Sequence, residues 1–165
     1  MIRYIVLLLL LFGASATQAQ QQGRFDEIQV AKSALMPATG VTIWLPPGYD
    51  VGKQSYPVVY MHDAQNLFFP ERSNFNKVWA ADKSALRLIA EKKLSPFIIV
   101  GVNQPGVARY AQYFPQALHV AASPELRGKI EETAKQPLYG DNYLRFLVTE
   151  LKPMIDRVYR TKKDR

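Results

Sequence analysis

Two short segments of the chain are apolar almost without interruption: Tyr56-Pro57-Val58-Val59-Tyr60-Met61 and Phe97-Ile98-Ile99-Val100-Gly101-Val102. Runs of this length, rich in β-branched and aromatic residues, read as strands, and their lack of alternation predicts parallel strands covered on both faces. Between them, Val78, Ala81, Ala85, Leu88 and Ile89 recur at helical spacing within residues 78–93, with Lys83, Arg87 and Glu91 on the other side. Asn74 or Asn76 stands where an N-cap is expected. Strand, helix, strand predicts a right-handed βαβ crossover.

Upstream, residues 27–35 alternate loosely through Ile28, Val30, Ala34 and Leu35, and predict a first strand. Val41–Leu45 predicts a second, which Pro46-Pro47-Gly48 ends, and residues 50–55 read as a polar turn. After Asn103 the pattern is lost until about Pro137, apart from a short polar helix expected over residues 123–135. Stretches this long without regular structure are usually functional or disordered. Tyr143, Phe146, Leu147, Leu151, Met154, Ile155 and Val158 then predict a helix over residues 142–159, with a kink expected at Pro153.

The first residues change the picture of where the domain begins. Arg3 precedes an apolar run, Ile5–Phe12, and Ala14-Ser15-Ala16 and Thr17-Gln18-Ala19 are small-residue cleavage sites. This reads as a secretory leader over residues 1–19, cut after Ala16 or Ala19. A membrane-spanning helix needs roughly 20 apolar residues, more than this run offers. The expectation is a periplasmic or extracellular protein, with residues 20–24 a loose start and residues 20–165 one domain.

The chain is 48% hydrophobic and 21% charged, an ordinary globular composition. Its net charge is +7, but the cations are scattered apart from Arg157, Arg160, Lys162, Lys163 and Arg165. Following a predicted helix, that group reads as a solvated helix terminus rather than a nucleic-acid surface. The absence of cysteine leaves packing alone to hold an exported domain together. Two histidines, His62 and His119, are too few ligands for a zinc site, so no metal is expected.

Chemistry in open α/β sheets sits at the carboxyl ends of the strands. There the sequence places His62-Asp63-Ala64-Gln65-Asn66-Leu67-Phe68 after one run, and Arg109 with Tyr113 and Pro115 after the other. Together with Leu45-Pro46-Pro47-Gly48-Tyr49, Trp79-Ala80-Ala81-Asp82, residues 96–102 and residues 143–153, their order and spacing resemble the esterase D / enterochelin-esterase-like branch of the α/β hydrolases over residues 25–165. The resemblance implies a truncated α/β-hydrolase fold: the N-terminal strands, the βαβ crossover and a C-terminal helix, lacking the nucleophile strand and all later elements of that fold.

It further implies a serine esterase that needs no cofactor and forms an acyl-serine intermediate on a small-molecule ester, with the backbone N–H of Ala64 or Gln65 in the oxyanion hole. His62, Asp63, Trp79 and Arg109 are the pocket-loop candidates, with Trp79 a wall residue and Arg109 a contact to substrate or loop. Asp82 suits the first turn of the crossover helix. Two departures stand out: Ala64 replaces a usual glycine, which could alter the loop backbone, and Gln112 replaces a frequent glutamate, removing a possible ionic partner for Arg109.

No serine lies in a Gly-x-Ser-x-Gly elbow. The resemblance therefore puts nucleophile, acid and histidine beyond Arg165, and neither His62 nor His119 in the triad. The expectation is the N-terminal part of an exported esterase, inactive by itself, whose exposed strand edge at residues 56–61 promotes self-association. The rival reading is a non-catalytic ligand-binding or interaction protein on the same fold.

Overall fold

The computed structural model describes residues 22–30, 33–73 and 76–163. The expected leader over residues 1–19, Asn74 as a helix cap, and Arg165 lie outside the described residues. Strand β1 (Arg24–Val30) pairs antiparallel with β2 (Thr39–Leu45), Arg24 opposite Leu45. Strand β3 (Val58–His62) pairs in parallel with β4 (Ile98–Val102), Val58 opposite Ile98 and His62 opposite Val102. β2 joins β4 antiparallel, giving the order β1-β2-β4-β3. Helix α1 (Ala81–Ala90) connects β3 to β4, so the two apolar runs lie side by side across the expected crossover.

Side-chain alternation along the central strands builds two cores. Val41, Ile43 and Leu45 of β2 and Ile98, Val100 and Val102 of β4 face Tyr143, Phe146, Leu151 and Ile155. Trp44 and Ile99 face the other way, toward Ala64, Leu67, Phe68 and Ala85. Each large side chain buried in this way stabilises the fold by about 1.5–3 kcal/mol. β4 is buried along its whole length, as its unbroken apolar run predicts. β3 is not: it is the sheet edge, Val59 is 43% exposed and His62 is exposed. The edge position is the one expected for residues 56–61; the incomplete cover of the faces is not.

The beginning of the chain corrects two expectations. Residues 22–24 are not loose, and β1 starts at Arg24 rather than residue 27. Gly23 has φ +79°, and a Cβ there would lie 2.5 Å from the Leu45 carbonyl oxygen and 2.7 Å from Trp44 Nε1. Glycine alone fits so close to the buried indole, which donates to the Gln22 carbonyl at 3.4 Å. Where the first strand was expected to continue, Ser33 Oγ instead accepts the N–H groups of Leu35 and Met36 in a turn.

The crossover helix begins later than its apolar stripe implies. Its N-cap is Ala80, with φ 49° and no side-chain cap, and Asn76 lies outside the helix. Residues 103–137 are more ordered than their pattern suggests. They contain helices α2 (Arg109–Tyr113), α3 (Gln116–Ala121) and α4 (Pro124–Ala134). α4 has the expected start: Ser123 Oγ accepts the Leu126 N–H, and Pro124 occupies the first turn.

Helix α5 (Gly140–Phe146) passes through a π-turn at Leu147–Leu151 into α6 (Lys152–Val158). The Lys152 N–H reaches back to the Leu147 carbonyl, one residue further than in an α-helix. Pro153 follows at once and has no N–H to donate, so the wide turn is the form its disruption takes. Beyond α6, Tyr56 donates to the Arg160 carbonyl at 2.9 Å and accepts from the Lys162 N–H at 2.8 Å, a parallel bridge at the head of β3. The Arg160 guanidinium lies 4.0 Å from the Tyr49 ring centre and donates to the carbonyls of Tyr49 and Gln54. This corrects the reading of the basic end as merely solvated: Arg160 pins it to the sheet. Among the described residues, no helix is long and apolar enough to cross a membrane.

Candidate functional site

The chain leaves β3 at His62 and turns sharply. Asp63 takes the left-handed conformation (φ 55°, ψ 48°), and Ala64–Asn66 follow as one 3-10 turn. Such a conformation is costly for most residues but tolerated by aspartate. The Asn66 N–H bonds the Asp63 carbonyl at 2.8 Å, closing the turn. The N–H groups of Ala64 and Gln65 open that turn and have no backbone acceptor among the described residues. Gln65 is further fixed by its side chain, whose Oε1 accepts the Gln104 N–H from the loop after β4 at 3.2 Å.

What seats this turn is the glycine in the neighbouring strand. A Cβ at Gly101 would stand 2.9 Å from Ala64 Cβ and 2.9 Å from Leu67 Cδ1. Ala64 is only 3% exposed and packs directly on β4. Ala64 also needs no left-handed backbone, because Asp63 takes the positive φ. The departure from glycine at this position therefore creates no backbone strain.

Arg109, at the start of α2, holds the turn from above. Its Nε donates to Asp63 Oδ1 at 2.9 Å and its Nη2 to Oδ2 at 2.8 Å, a bidentate pair. Tyr113 Oη donates to Asp63 Oδ1 at 3.3 Å. The guanidinium bonds hold the Asp63 carboxyl below the ordinary carboxylate range despite its partial burial. Arg109 thus has an ionic partner without a glutamate at position 112. Burial, reinforced by the Asp63 charge, pushes the Tyr113 hydroxyl up to about 12, so it stays protonated at neutral pH. Tyr143 Oη lies 2.6 Å from His62 Nδ1 and is likewise driven upward, first by burial.

These groups bound a cavity of about 620 Å³. His62, Asp63, Arg109, Tyr113 and Tyr143 form its polar side, and Phe114, Pro115 and Leu144 contribute apolar surface. Trp79 stands at the rim, 68% exposed, so it is wall rather than core. The structure thus brings His62, Asp63, Trp79 and Arg109 to one cavity, with Ala64 and Gln65 in the adjoining turn. His119 is elsewhere, on α3, 2.9 Å from Glu131. Asp82 lies in the first turn of α1, and one of its oxygens is buried without a partner among the described residues. Tyr113 and Tyr143 were visible in the sequence only as family landmarks and core positions. Their convergence on His62 and Asp63 depends on two helices meeting, which no local pattern encodes. Among the described residues, no group of three side chains suited to hold a metal gathers here.

Residues 33–165 match the protein family described as "Putative esterase". The chain belongs to that esterase family. Among solved structures it is similar to an IroE-like serine hydrolase from Shewanella oneidensis (TM-score 0.58, 20% identity, 84% of this chain and 40% of that one). It is also similar to a ferulic acid esterase (TM-score 0.56, 23% identity, 87% and 46%). A third is the BES protein from Bacillus cereus (TM-score 0.52, 19% identity, 84% and 48%). No curated protein matches. At these identities the likeness establishes the fold: the esterase chain has the N-terminal part of an α/β-hydrolase architecture, and it spans less than half the length of these structures.

Proposed function

We propose that the esterase chain forms the N-terminal portion of an exported serine carboxylic-ester hydrolase, with the turn after β3 as its oxyanion-binding element. The observation that carries this reading is the pair of N–H groups on Ala64 and Gln65, without a backbone acceptor among the described residues, at the carboxyl end of a strand and beside a cavity. Negative charge develops on the carbonyl oxygen during ester hydrolysis, and one prepositioned donor is typically worth about 3 kcal/mol. Asp63, held by Arg109 and Tyr113, keeps those donors in place. Export follows from the leader-like residues 1–19.

The described residues supply binding and oxyanion groups but no activated serine in elbow context. The chain by itself is therefore expected to bind small esters without turning them over. Titration with phenyl acetate, followed by quenching of tryptophan emission, tests the binding, since Trp79 stands at the cavity rim. Release of p-nitrophenol from p-nitrophenyl acetate tests the chemistry. Saturable turnover above buffer would place a nucleophile within these residues and defeat the reading. The absence of ester binding would defeat the pocket assignment.

One observation favours a second reading as a non-catalytic ligand-binding protein: the described residues form the cavity wall by themselves. Retained affinity for non-ester amides of the same shape would support it. We also propose that β3 pairs with β3 of a second copy. Its outward edge, Val58–His62, has no lysine, proline or bulge to discourage such pairing.

A further inference from the structure

We infer that Gln112 is a specificity-determining residue of this cavity, a hydrogen-bond donor whose acceptor arrives with the ligand. The inference rests on the pocket reading above. Gln112 is 1% exposed, among the few polar side chains buried in the described fold. Its Oε1 accepts from Tyr139 Oη at a long 3.4 Å. Its Nε2 is buried and has no partner among the described residues.

A primary amide offers two N–H donors, and an unmet buried donor costs about 1–3 kcal/mol. Folded proteins rarely leave such a group without a reason, and a ligand is one. Leucine or methionine would fill the same space without that penalty, and the position already differs from the frequent glutamate. A glutamate would present acceptors; glutamine presents donors.

Location supplies the rest. Gln112 belongs to the wall of the 620 Å³ cavity and also to that of a smaller cavity of about 180 Å³ beside Asn103 and Gln104. It is the residue the two walls share. A ligand oxygen brought into the cavity beside Tyr113, Phe114 and Tyr143 would give this amide its acceptor. The chemical class is then an ester whose acyl group is flat and carries a second oxygen acceptor, such as a ketone, remote from the ester carbonyl.

The test compares two esters of nearly equal shape, ethyl p-acetylbenzoate and ethyl p-isopropylbenzoate, titrated into the full chain and into Gln112→Leu and Gln112→Met. The parent is expected to bind the ketone about fivefold more tightly, the yield of roughly one neutral hydrogen bond. In both variants that preference disappears and the midpoint of thermal unfolding rises, because the orphaned donor is gone. Equal affinities in the parent, with variants less stable than the parent, would make Gln112 a structural partner of Tyr139 and overturn the inference while leaving the pocket reading intact. If neither ester binds the parent, both fall.

Discussion

Gly101→Ala is the sharpest probe of how the turn after β3 is held. The added methyl would stand 2.9 Å from Ala64 Cβ, 2.9 Å from Leu67 Cδ1 and 3.4 Å from Ala64 Cα. Leu67 Cδ1 is the end of a rotatable side chain and can move aside. Ala64 Cβ cannot, because it is fixed to the backbone of the turn, so relief requires shifting residues 63–66 off β4. Overpacking of this kind costs about 1–3 kcal/mol. Removing the opposing methyl with Ala64→Gly costs about 1 kcal/mol by itself, from lost burial and added chain entropy. If the two methyl groups share one space, the double variant should be little worse than Ala64→Gly alone, a coupling of at least about 1 kcal/mol where independent sites would add. Urea unfolding followed by emission from Trp44, buried in the same cluster, measures all four corners of the cycle. A neutral Gly101→Ala, or additive effects within about 0.3 kcal/mol, would refute the seating of the turn on β4.

Asp63→Asn should lower stability near neutral pH, with a cost that begins to shrink only as pH falls below about 4 and vanishes once the folded carboxyl is itself protonated. The Asp63 carboxyl is held low in the folded state, so its contribution is present above its unfolded value and is lost as pH falls through the folded one. Melting curves at several pH values should therefore converge in acid, and a constant difference would contradict the ion-pair role. Tyr143→Phe, which removes the 2.6 Å contact to His62, should cost about 1 kcal/mol in urea unfolding and loosen ester binding. Unchanged binding would exclude that tyrosine from the pocket's working surface. Val59→Lys places a charge on the exposed edge strand and should shift sedimentation toward the monomer; unaltered assembly would exclude the β3 edge as the contact.

The sheet was readable where burial forced composition. Residues 97–102 are apolar because both faces of β4 are covered, and the stripe containing Ala81, Ala85 and Ile89 is helical because one face packs on Trp44 and Ile99. β3 shares the composition and lies at the rim, the edge position expected for residues 56–61, with Val59 left exposed. Residues 106–121 gave no signal because their helices are one or two turns long, too short to show a period, and are held by neighbours rather than propensity. Positive φ at Asp63 and Ala80 is equally silent, since neither residue announces it as glycine would. For the candidate site, His62, Asp63 and Arg109 were legible singly as strand-end residues. The bidentate pair across 46 positions was not, nor was the burial of Gln112.

The fastening of Arg160 has a bearing on how the polypeptide acquires its shape. Tyr49 and Gln54 receive their bonds from a residue 111 and 106 positions later, and Asp26 is met by Tyr159 across 133. Closure of such distant contacts is slow relative to local helix formation. On a ribosome the first half would thus emerge with its rim strand unsecured, and would stay open to holding factors until nearly the last described residue had been made.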